Sequence, residues 1–396
     1  MKLINENNRE SKRLLVLTSA SGAGHDSHAF ATVAWCRQLY GSEVEVTVEH
    51  ALEDSHPVYR HGVDFYNFIQ RRAPWFHHIY YNVVEFLEVL NPGTVSLGRD
   101  YYIRLLQRVR PHAILSVMDC LNRGYFELAK EVLGPEVKCA TYCTEFGGGY
   151  GFSRNWVNPR GDVFFARTED ASATAQRCGM DRERTLTVGH WAPPAFYAPA
   201  MDEEEKASYL RDTLRLDPGC FTLLLSTGGA GAQNHTAIIR TLLSLGERVQ
   251  VIALCGRNAQ AQACLENWSK QIPIQVRALS FTDEMATLLQ VSSAVVARAG
   301  ATTAGEALLC NCPVIFNAIG LIMPQELPTW RYFRKHNIGF AAFRAARIRS
   351  IVEQWLDHPD EFARLRQRMQ SVRCMTSPGP ALVQLLGAVP APVLEQ

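Results

Sequence analysis

The chain alternates short apolar runs with longer amphipathic stretches. Leu14 to Leu17 is wholly apolar, Thr18 to Gly24 carries only small side chains, and from His25 onward Ala29, Val33 and Leu39 fall on one helical side. An apolar run, a small-residue turn and a helix predict a buried parallel strand opening an α/β unit. The alternation continues with strands at Glu43 to Val48, in RPHAILSVMD ending at Asp119, and at Lys138 to Thr144, Asp162 to Ala166 and Arg184 to Gly189. Helices are expected at Tyr101 to Arg110 and Asp170 to Cys178. The proline-rich stretch HWAPPAFYAPAMDEEE interrupts the pattern and reads as a linker.

Beyond it the pattern restarts. Strands are predicted at Phe221 to Ser226, Val249 to Cys255, Ile274 to Leu279, Ala294 to Ala297 and Val314 to Asn317. Helices fall at Thr236 to Leu245, Ala259 to Trp268, Asp283 to Gln290 and Thr303 to Leu309. Ile348 to Leu386 reads as helices broken at Pro359 and at Pro378-Gly379-Pro380. The expected architecture is α/β: two doubly wound Rossmann-like domains facing a cleft, residues 1–195 and 196–355, with a helical segment at 356–396.

Composition changes this picture little. An apolar share of 47% and a charged share of 20% describe an ordinary globular chain with ample core. A net charge of +1, without a basic tail, gives no reason to expect nucleic acid. The polar start MKLINENNRESKR is no signal peptide, and no apolar run approaches the roughly 20 residues that span a bilayer. The 11 cysteines and 12 histidines show no zinc or thioredoxin spacing, so reduced thiols, a cytoplasmic setting and no structural metal are expected.

Candidate chemistry gathers at strand ends, where open α/β sheets bind ligands. Gly22 and Gly24 allow close backbone approach, and His25 is a titratable base at a helix start, whose dipole disfavours the charged imidazole. GAGHDS is neither a dinucleotide fingerprint nor a P-loop, and capping or packing is the plain alternative for His25. In the second half, Gly228-Gly229-Ala230-Gly231 before a helix makes a backbone nest suited to a diphosphate. In ARAGATTAGEAL, Gly300 breaks the chain, Thr302 and Thr303 cap a helix, and Glu306 in its first turn suits a ribose. Gln325 and Glu326 offer an amide and a carboxylate to a hydroxyl-rich ligand.

One segment is unusual. His56 to Leu90 carries Tyr59, Phe65, Tyr66, Phe68, Trp75, Phe76, Tyr80, Tyr81 and Phe86, with Arg60, Arg71 and Arg72 among them. It is either helical core with exposed arginines or an interfacial surface for anionic lipid, and both readings account for its composition.

Taken together, SASGAGHDSHA, HPVYRHG with RAPWFHHIYY, RPHAILSV, GGAGA, CGRN, ARAGATTAGEAL and PQE resemble the monogalactosyldiacylglycerol synthase and processive diacylglycerol glucosyltransferase family, which has the GT-B fold. The resemblance runs from about Leu14 to Trp355. It implies an inverting hexosyltransferase that moves galactose or glucose from a UDP-sugar to a membrane lipid alcohol such as diacylglycerol, with no cofactor beyond the donor. In that family's terms His25 is the base, beside Gly24. Gly228 to Gly231 hold the diphosphate, the backbone at Leu279 to Phe281 takes the uracil, Glu306 the ribose, and Gln325 and Glu326 the hexose, with Gly300, Thr302 and Thr303 also at the donor. Tyr59, Arg71, Arg72, Trp75 and Phe76 would face acceptor and membrane, making the protein cytoplasmic and peripherally membrane-associated. Ala23 replaces a usual glycine, Thr144-Glu145 a usual threonine–aspartate pair, and Ala301-Thr302 alters a glycine-rich stretch. These departures leave a non-catalytic nucleotide- or lipid-binding GT-B protein as the alternative. An NAD oxidoreductase ranks last, since Glu49 is a loose match for the acidic residue it needs.

Overall fold

The computed structural model describes residues 11–22, 24–90, 95, 97–226 and 234–387, without the side chains of residues 71, 74 and 87–90. The first half forms a six-stranded parallel sheet from β1 (Lys12–Leu17), β2 (Val44–Glu49), β3 (Ala113–Ser116), β4 (Lys138–Cys143), β5 (Val163–Ala166) and β6 (Thr185–Thr187). Its order is β2-β1-β3-β4-β5-β6. The second half repeats the plan with β7 (Phe221–Ser226), β8 (Val249–Leu254), β9 (Val276–Leu279), β10 (Ala294–Ala297), β11 (Val314–Asn317) and β12 (Gly339–Ala342), in the order β12-β11-β10-β7-β8-β9. Two such sheets with helices on both faces constitute the expected GT-B architecture, as the comparisons below bear out. In each sheet the strand order reverses beside the opening strand, at β1/β3 and at β7/β10, and such switch points open the crevices that take ligands.

Alternation along β1 shows how the first core is built. Leu14 and Val16 pack with Ala29, Trp35 and Cys36 of helix Gly24–Tyr40, while Leu15 and Leu17 pack with Tyr102, Leu105 and Leu106 of helix Arg99–Val109. The helix after β1 buries His28, Thr32, Trp35 and Cys36 rather than running its inner stripe through Val33. Hydrogen bonding makes those polar positions tolerable inside: His28 Nδ1–H donates to the Trp191 carbonyl at 2.6 Å, and Thr32 Oγ1 accepts from Trp191 Nε1 at 3.0 Å.

The chain crosses between the cores twice. Trp191 belongs to the first, Ala192 and Phe196 to the second. Helices Ala345–Asp357 and Pro359–Val372 pack on the second through Ile348, Trp355, Leu365 and Met369. Helix Gly379–Leu386 then returns to the first through Leu382, Leu385 and Leu386, and Lys12 Nζ donates to the Leu386 carbonyl at 2.5 Å. Strand β12 and helix Tyr125–Leu133 were not expected from the sequence. Gly339-Phe340-Ala341-Ala342 is a short, half-exposed edge with little β-propensity, so its pattern says nothing without its neighbour β11. Among the described residues no helix is long and apolar enough to cross a membrane, and no cluster of metal-ligating side chains occurs.

Candidate active site

The turn after β1 is held from three sides. Ser19 Oγ and Ala20 N donate to Glu53 Oε1 at 2.8 and 2.6 Å. Asn67, on helix Pro57–Arg72, accepts from Gly22 N at 3.0 Å and donates to the Ala20 carbonyl at 3.0 Å. Asp26 accepts from Thr18 Oγ1 at 3.1 Å and from His50 Nε2 at 2.9 Å. That bond, the largest influence on His50, raises its pKa. Ala23 lies outside the described residues.

His25 projects from the first turn of its helix, and its Nδ1 lies 2.8 Å from the Val117 carbonyl just beyond β3. A carbonyl only accepts, so Nδ1 carries the proton and Nε2 keeps its lone pair. The Trp156 ring stands 6.1 Å away, and both residues line a cleft of about 1380 Å³ between the domains. The histidine is thus oriented as a base, with its proton acceptor left unspent.

The first domain meets helix Ala301–Leu309 of the second directly. A Cβ on Gly24 would lie 2.7 Å from Thr302 Oγ1, so the chain needs glycine there for a close approach. Thr302 Oγ1 is 3.2 Å from the His28 Nε2 that lacks a proton, and buried Arg167 sits 3.2 Å from the same nitrogen. Arg167 Nη1 also donates to the Ala301 carbonyl at 2.5 Å. Thr302, expected at the donor, lines the cleft with Gly300 and Thr303 and also brings its hydroxyl to the domain seam.

On the donor side Glu306 is 7% exposed and faces the cleft, and its carboxyl accepts no hydrogen bond from the described residues. Burial pushes its pKa up to about 7 against the opposing charge of Arg167. Phe281 is exposed at the cleft edge, with the Arg257 guanidinium 5.1 Å from its ring centre. Glu326 is fully engaged: Arg298 donates to its two oxygens at 3.0 and 2.6 Å, and Met323 N donates at 2.9 Å. Gln325 Nε2 donates to the Tyr66 hydroxyl at 2.9 Å, across the cleft. The turn Gly228-Gly229-Ala230-Gly231 lies outside the described residues, between the end of β7 and helix His235–Leu242.

The aromatic segment divides by helical side. Tyr66, His77, Tyr80 and Tyr81 line the cleft or its wall, and burial lowers the His77 pKa to about 4. Phe65, Phe68, Trp75, Ile79, Val83 and Phe86 are exposed. Spacing puts Phe65 and Phe68 on the outer face of helix Pro57–Arg72 and Ile79, Val83 and Phe86 on that of helix His77–Leu90, with Trp75 on the short turn Pro74–Phe76 between them. Trp75 is 56% exposed and Arg72 is exposed beside it, whereas Tyr59 is half-buried and lines the cleft. Phe76 is half-buried between Phe65 and Trp75, with ring centres at 6.3 and 5.7 Å. The Arg71 side chain is outside the described part.

Sequence reasoning missed the residues that act through others: Asn67 and Glu53 on the turn, Asp26 with His50, Arg167 at the seam, and Arg298 on Glu326. None has a local spacing signal, because each partner is distant in sequence. Asp26, Asn67 and Arg298 sat inside stretches already singled out, without a role assigned.

Comparison with known proteins places this geometry. Residues 222–317 match the glycosyltransferase family 28 C-terminal domain. The chain is 25% identical over 357 residues to monogalactosyldiacylglycerol synthase 1, chloroplastic, of Arabidopsis thaliana, covering 87% of this chain and 64% of that protein. It is 21% identical over 370 residues to the processive diacylglycerol beta-glucosyltransferase of Staphylococcus carnosus, covering 92% of this chain and 90% of that one. It thus spans just under two thirds of the plant synthase and most of the bacterial enzyme. Among solved structures, Acinetobacter baumannii MurG superposes with a TM-score of 0.60 at 12% identity, covering 95% of this chain and 99% of that one. An MnaA–UDP structure from S. aureus gives 0.57 at 13%, covering 96% and 99%. These likenesses fix the fold as GT-B.

Proposed function

From a chain that carries a glycosyltransferase family 28 C-terminal domain and is related along most of its length to monogalactosyldiacylglycerol synthases and processive diacylglycerol glucosyltransferases, we propose an inverting, UDP-sugar-dependent hexosyltransferase that glycosylates a membrane lipid alcohol such as diacylglycerol. The single observation that carries the reading is the His25 Nδ1–Val117 contact, which leaves Nε2 free to accept a proton inside the cleft.

In the reaction the acceptor oxygen attacks the anomeric carbon, its proton passes to His25 Nε2, and the bond to the UDP oxygen breaks with inversion. The leaving diphosphate faces Gly300 and Thr303 at the start of helix Ala301–Leu309, where unpaired N–H groups and the helix dipole favour negative charge. Gly228 to Gly231 are assigned to the same diphosphate. Glu306 takes the ribose hydroxyls and the Phe281 edge the uracil. Gln325 faces the hexose, and Glu326, locked by Arg298, holds the Gln325 loop in place. Residues 1–195 serve the acceptor and 196–355 the donor, and helices Pro359–Val372 and Gly379–Leu386 of the segment that follows tie them by packing on both cores.

The outward stripe Phe65, Phe68, Trp75, Ile79, Val83 and Phe86, with exposed Arg72 at the end of its first helix, is assigned to an anionic membrane surface, as is Arg71 from its place in the sequence. A soluble domain whose acceptor stays in the bilayer must dock where the cleft opens toward lipid, and the inner sides of these same two helices line that cleft. Replacing Arg71 and Arg72 with glutamate is expected to reduce sedimentation with anionic vesicles, as added salt would, at about 1 kcal/mol per basic residue. Sedimentation unchanged by both would remove the membrane assignment.

The activity is tested by incubating the protein with UDP-galactose or UDP-glucose and vesicles containing diacylglycerol, then following UDP release and lipid-bound hexose. Transfer of one sugar is expected. UDP binding without transfer to any lipid alcohol would make this a non-catalytic binding protein.

A further inference from the structure

The acceptor end of the cleft holds a carboxyl that the scheme above leaves unused. Glu145 stands where the chain leaves β4, next to the exit of β3 that supplies Val117 and Asp119. The strands pair from Ala113↔Lys138 to Ser116↔Thr141, so the two exits run about one strand spacing, ~5 Å, apart. Glu145 is 8% exposed and lines the cleft. Its Oε2 is buried with no hydrogen-bond partner among the described residues.

Charged groups face it from each neighbouring element: Arg167 beyond β5, Arg331 on helix Leu327–Lys335, Asp119 beyond β3, and Tyr81 on helix His77–Leu90. Neither arginine is committed to it. Arg167 donates to the Tyr142 hydroxyl and the Ala301 carbonyl, and Arg331 Nη2 donates to the Gly148 and Tyr150 carbonyls at 2.8 and 2.7 Å. Burial is the largest influence on Glu145 and pushes its pKa up to about 8, with the Asp119 charge adding to it and both arginines opposing. At neutral pH the group is a carboxylic acid, which can donate.

A diacylglycerol brings one hydroxyl, and that hydroxyl is consumed at His25. Its other polar atoms are ester oxygens, which only accept. The Val117 carbonyl is itself an acceptor and cannot serve them. We propose that Glu145 donates its carboxyl O–H to an ester carbonyl of the acceptor lipid, so that this cleft selects ester-linked over ether-linked glycerolipids. The proposal rests on the lipid-glycosyltransferase reading above and specifies how the acceptor is read.

The test compares a diacylglycerol with the dialkyl ether glycerol of matched chains, both in mixed micelles, with the donor saturating. The native protein is expected to favour the ester by about tenfold in kcat/KM, the cost of one buried donor left unpaired. Glu145→Ala should raise KM for the ester about tenfold, leave KM for the ether and for the UDP-sugar unchanged, and bring the ester/ether ratio near one. Glu145→Gln, whose amide still donates, should keep the preference. Between pH 7 and pH 9 the native preference should fall while that of Glu145→Gln holds, a contrast that remains readable if the alanine variant fails to fold. An unchanged ratio in Glu145→Ala, or equal pH dependence of native and Glu145→Gln, overturns the assignment. Transfer to both lipids with no preference overturns it while leaving the enzyme reading intact. No transfer to either overturns both.

Discussion

The first domain contains two glycine-rich segments at strand exits, and they do opposite things. SASGAGH after β1 opens on the cleft and presents His25 to it. Beyond Glu145, which lines the cleft, the segment FGGGYGF after β4 closes on protein. Its Gly148 and Tyr150 carbonyls accept from Arg331, Tyr150 stacks on His78 at 6.2 Å, and its neighbour Asp170 receives Lys335 Nζ at 2.7 Å. At Gly151, φ is +95° and a Cβ would lie 1.7 Å from the Pro324 carbonyl oxygen of the other domain. In the first segment Gly22 serves a positive φ and Gly24 makes room for Thr302 Oγ1, while in the second Gly151 does both against backbone. Glycine content records the approach, and the tertiary neighbour decides whether a ligand or a second domain makes it.

If the comparison is right, the first loop is sensitive in chemistry and the second in stability. The largest effect is expected at His25. His25→Ala should lower turnover by about 10² to 10⁴ with UDP affinity and thermal midpoint nearly unchanged. Kinetics with calorimetry check this, and retained turnover would return the first loop to a packing role. Gly151→Ala should do the reverse. It places a methyl against backbone at a positive φ, so a loss of about 2–4 kcal/mol in stability is expected, read as a lower denaturant midpoint. A neutral Gly151→Ala would mean the loop does not hold the domains together.

How much of this was legible follows the same division. Apolar runs such as Leu14 to Leu17 and Phe221 to Ser226 are strands because both sheet faces are covered, and periodicity records burial. The switch points, and hence His25 and Glu306 at the cleft, follow from strand order plus local turns. What could not be read was pairing across the seam. Nothing local in the sequence pairs Thr302 with His28, 3.2 Å away, or Glu326 with Arg298, which donates to both its oxygens. The aromatic segment is a middle case: its density was evident, but only the helix orientation separates outward Trp75 from inward Tyr66.

Helix Ala301–Leu309 sharpens the comparison, since it faces both ways. Toward the cleft, Glu306→Ala should weaken UDP and UDP-sugar alike by roughly 2 kcal/mol, measured by titration calorimetry. Unchanged UDP affinity would remove Glu306 from the donor site; as the sixth residue of its helix it lies past the turn where a carboxylate complements the dipole. The same carboxyl makes a pH prediction for the ligand-free protein. Its folded pKa of about 7 lies above the ordinary 4.5, so its neutral form is favoured by folding. That contribution is complete below about pH 4.5 and is lost as pH rises through about 7. Stability should therefore decline across this window, and Glu306→Gln should flatten the decline.

The smallest effect tests where the two loops meet. Gly24 belongs to the ligand-facing loop, yet the atom closest to its absent Cβ is Thr302 Oγ1 of the other domain, at 2.7 Å. The clash is with the end of a side chain, not with backbone, so it can be relieved. Gly24→Ala is expected to cost about 1–2 kcal/mol, the range for modest overpacking. Thr302→Ala alone forfeits the contact with His28 Nε2 at a similar or smaller cost. The two costs should not add, because the second change removes the atom that the first collides with. The double variant should recover most of the Gly24→Ala loss, giving a coupling of about 1 kcal/mol in a denaturation cycle. Full additivity would show that the domains do not touch at this point, and the ligand-facing loop would then be free of the seam.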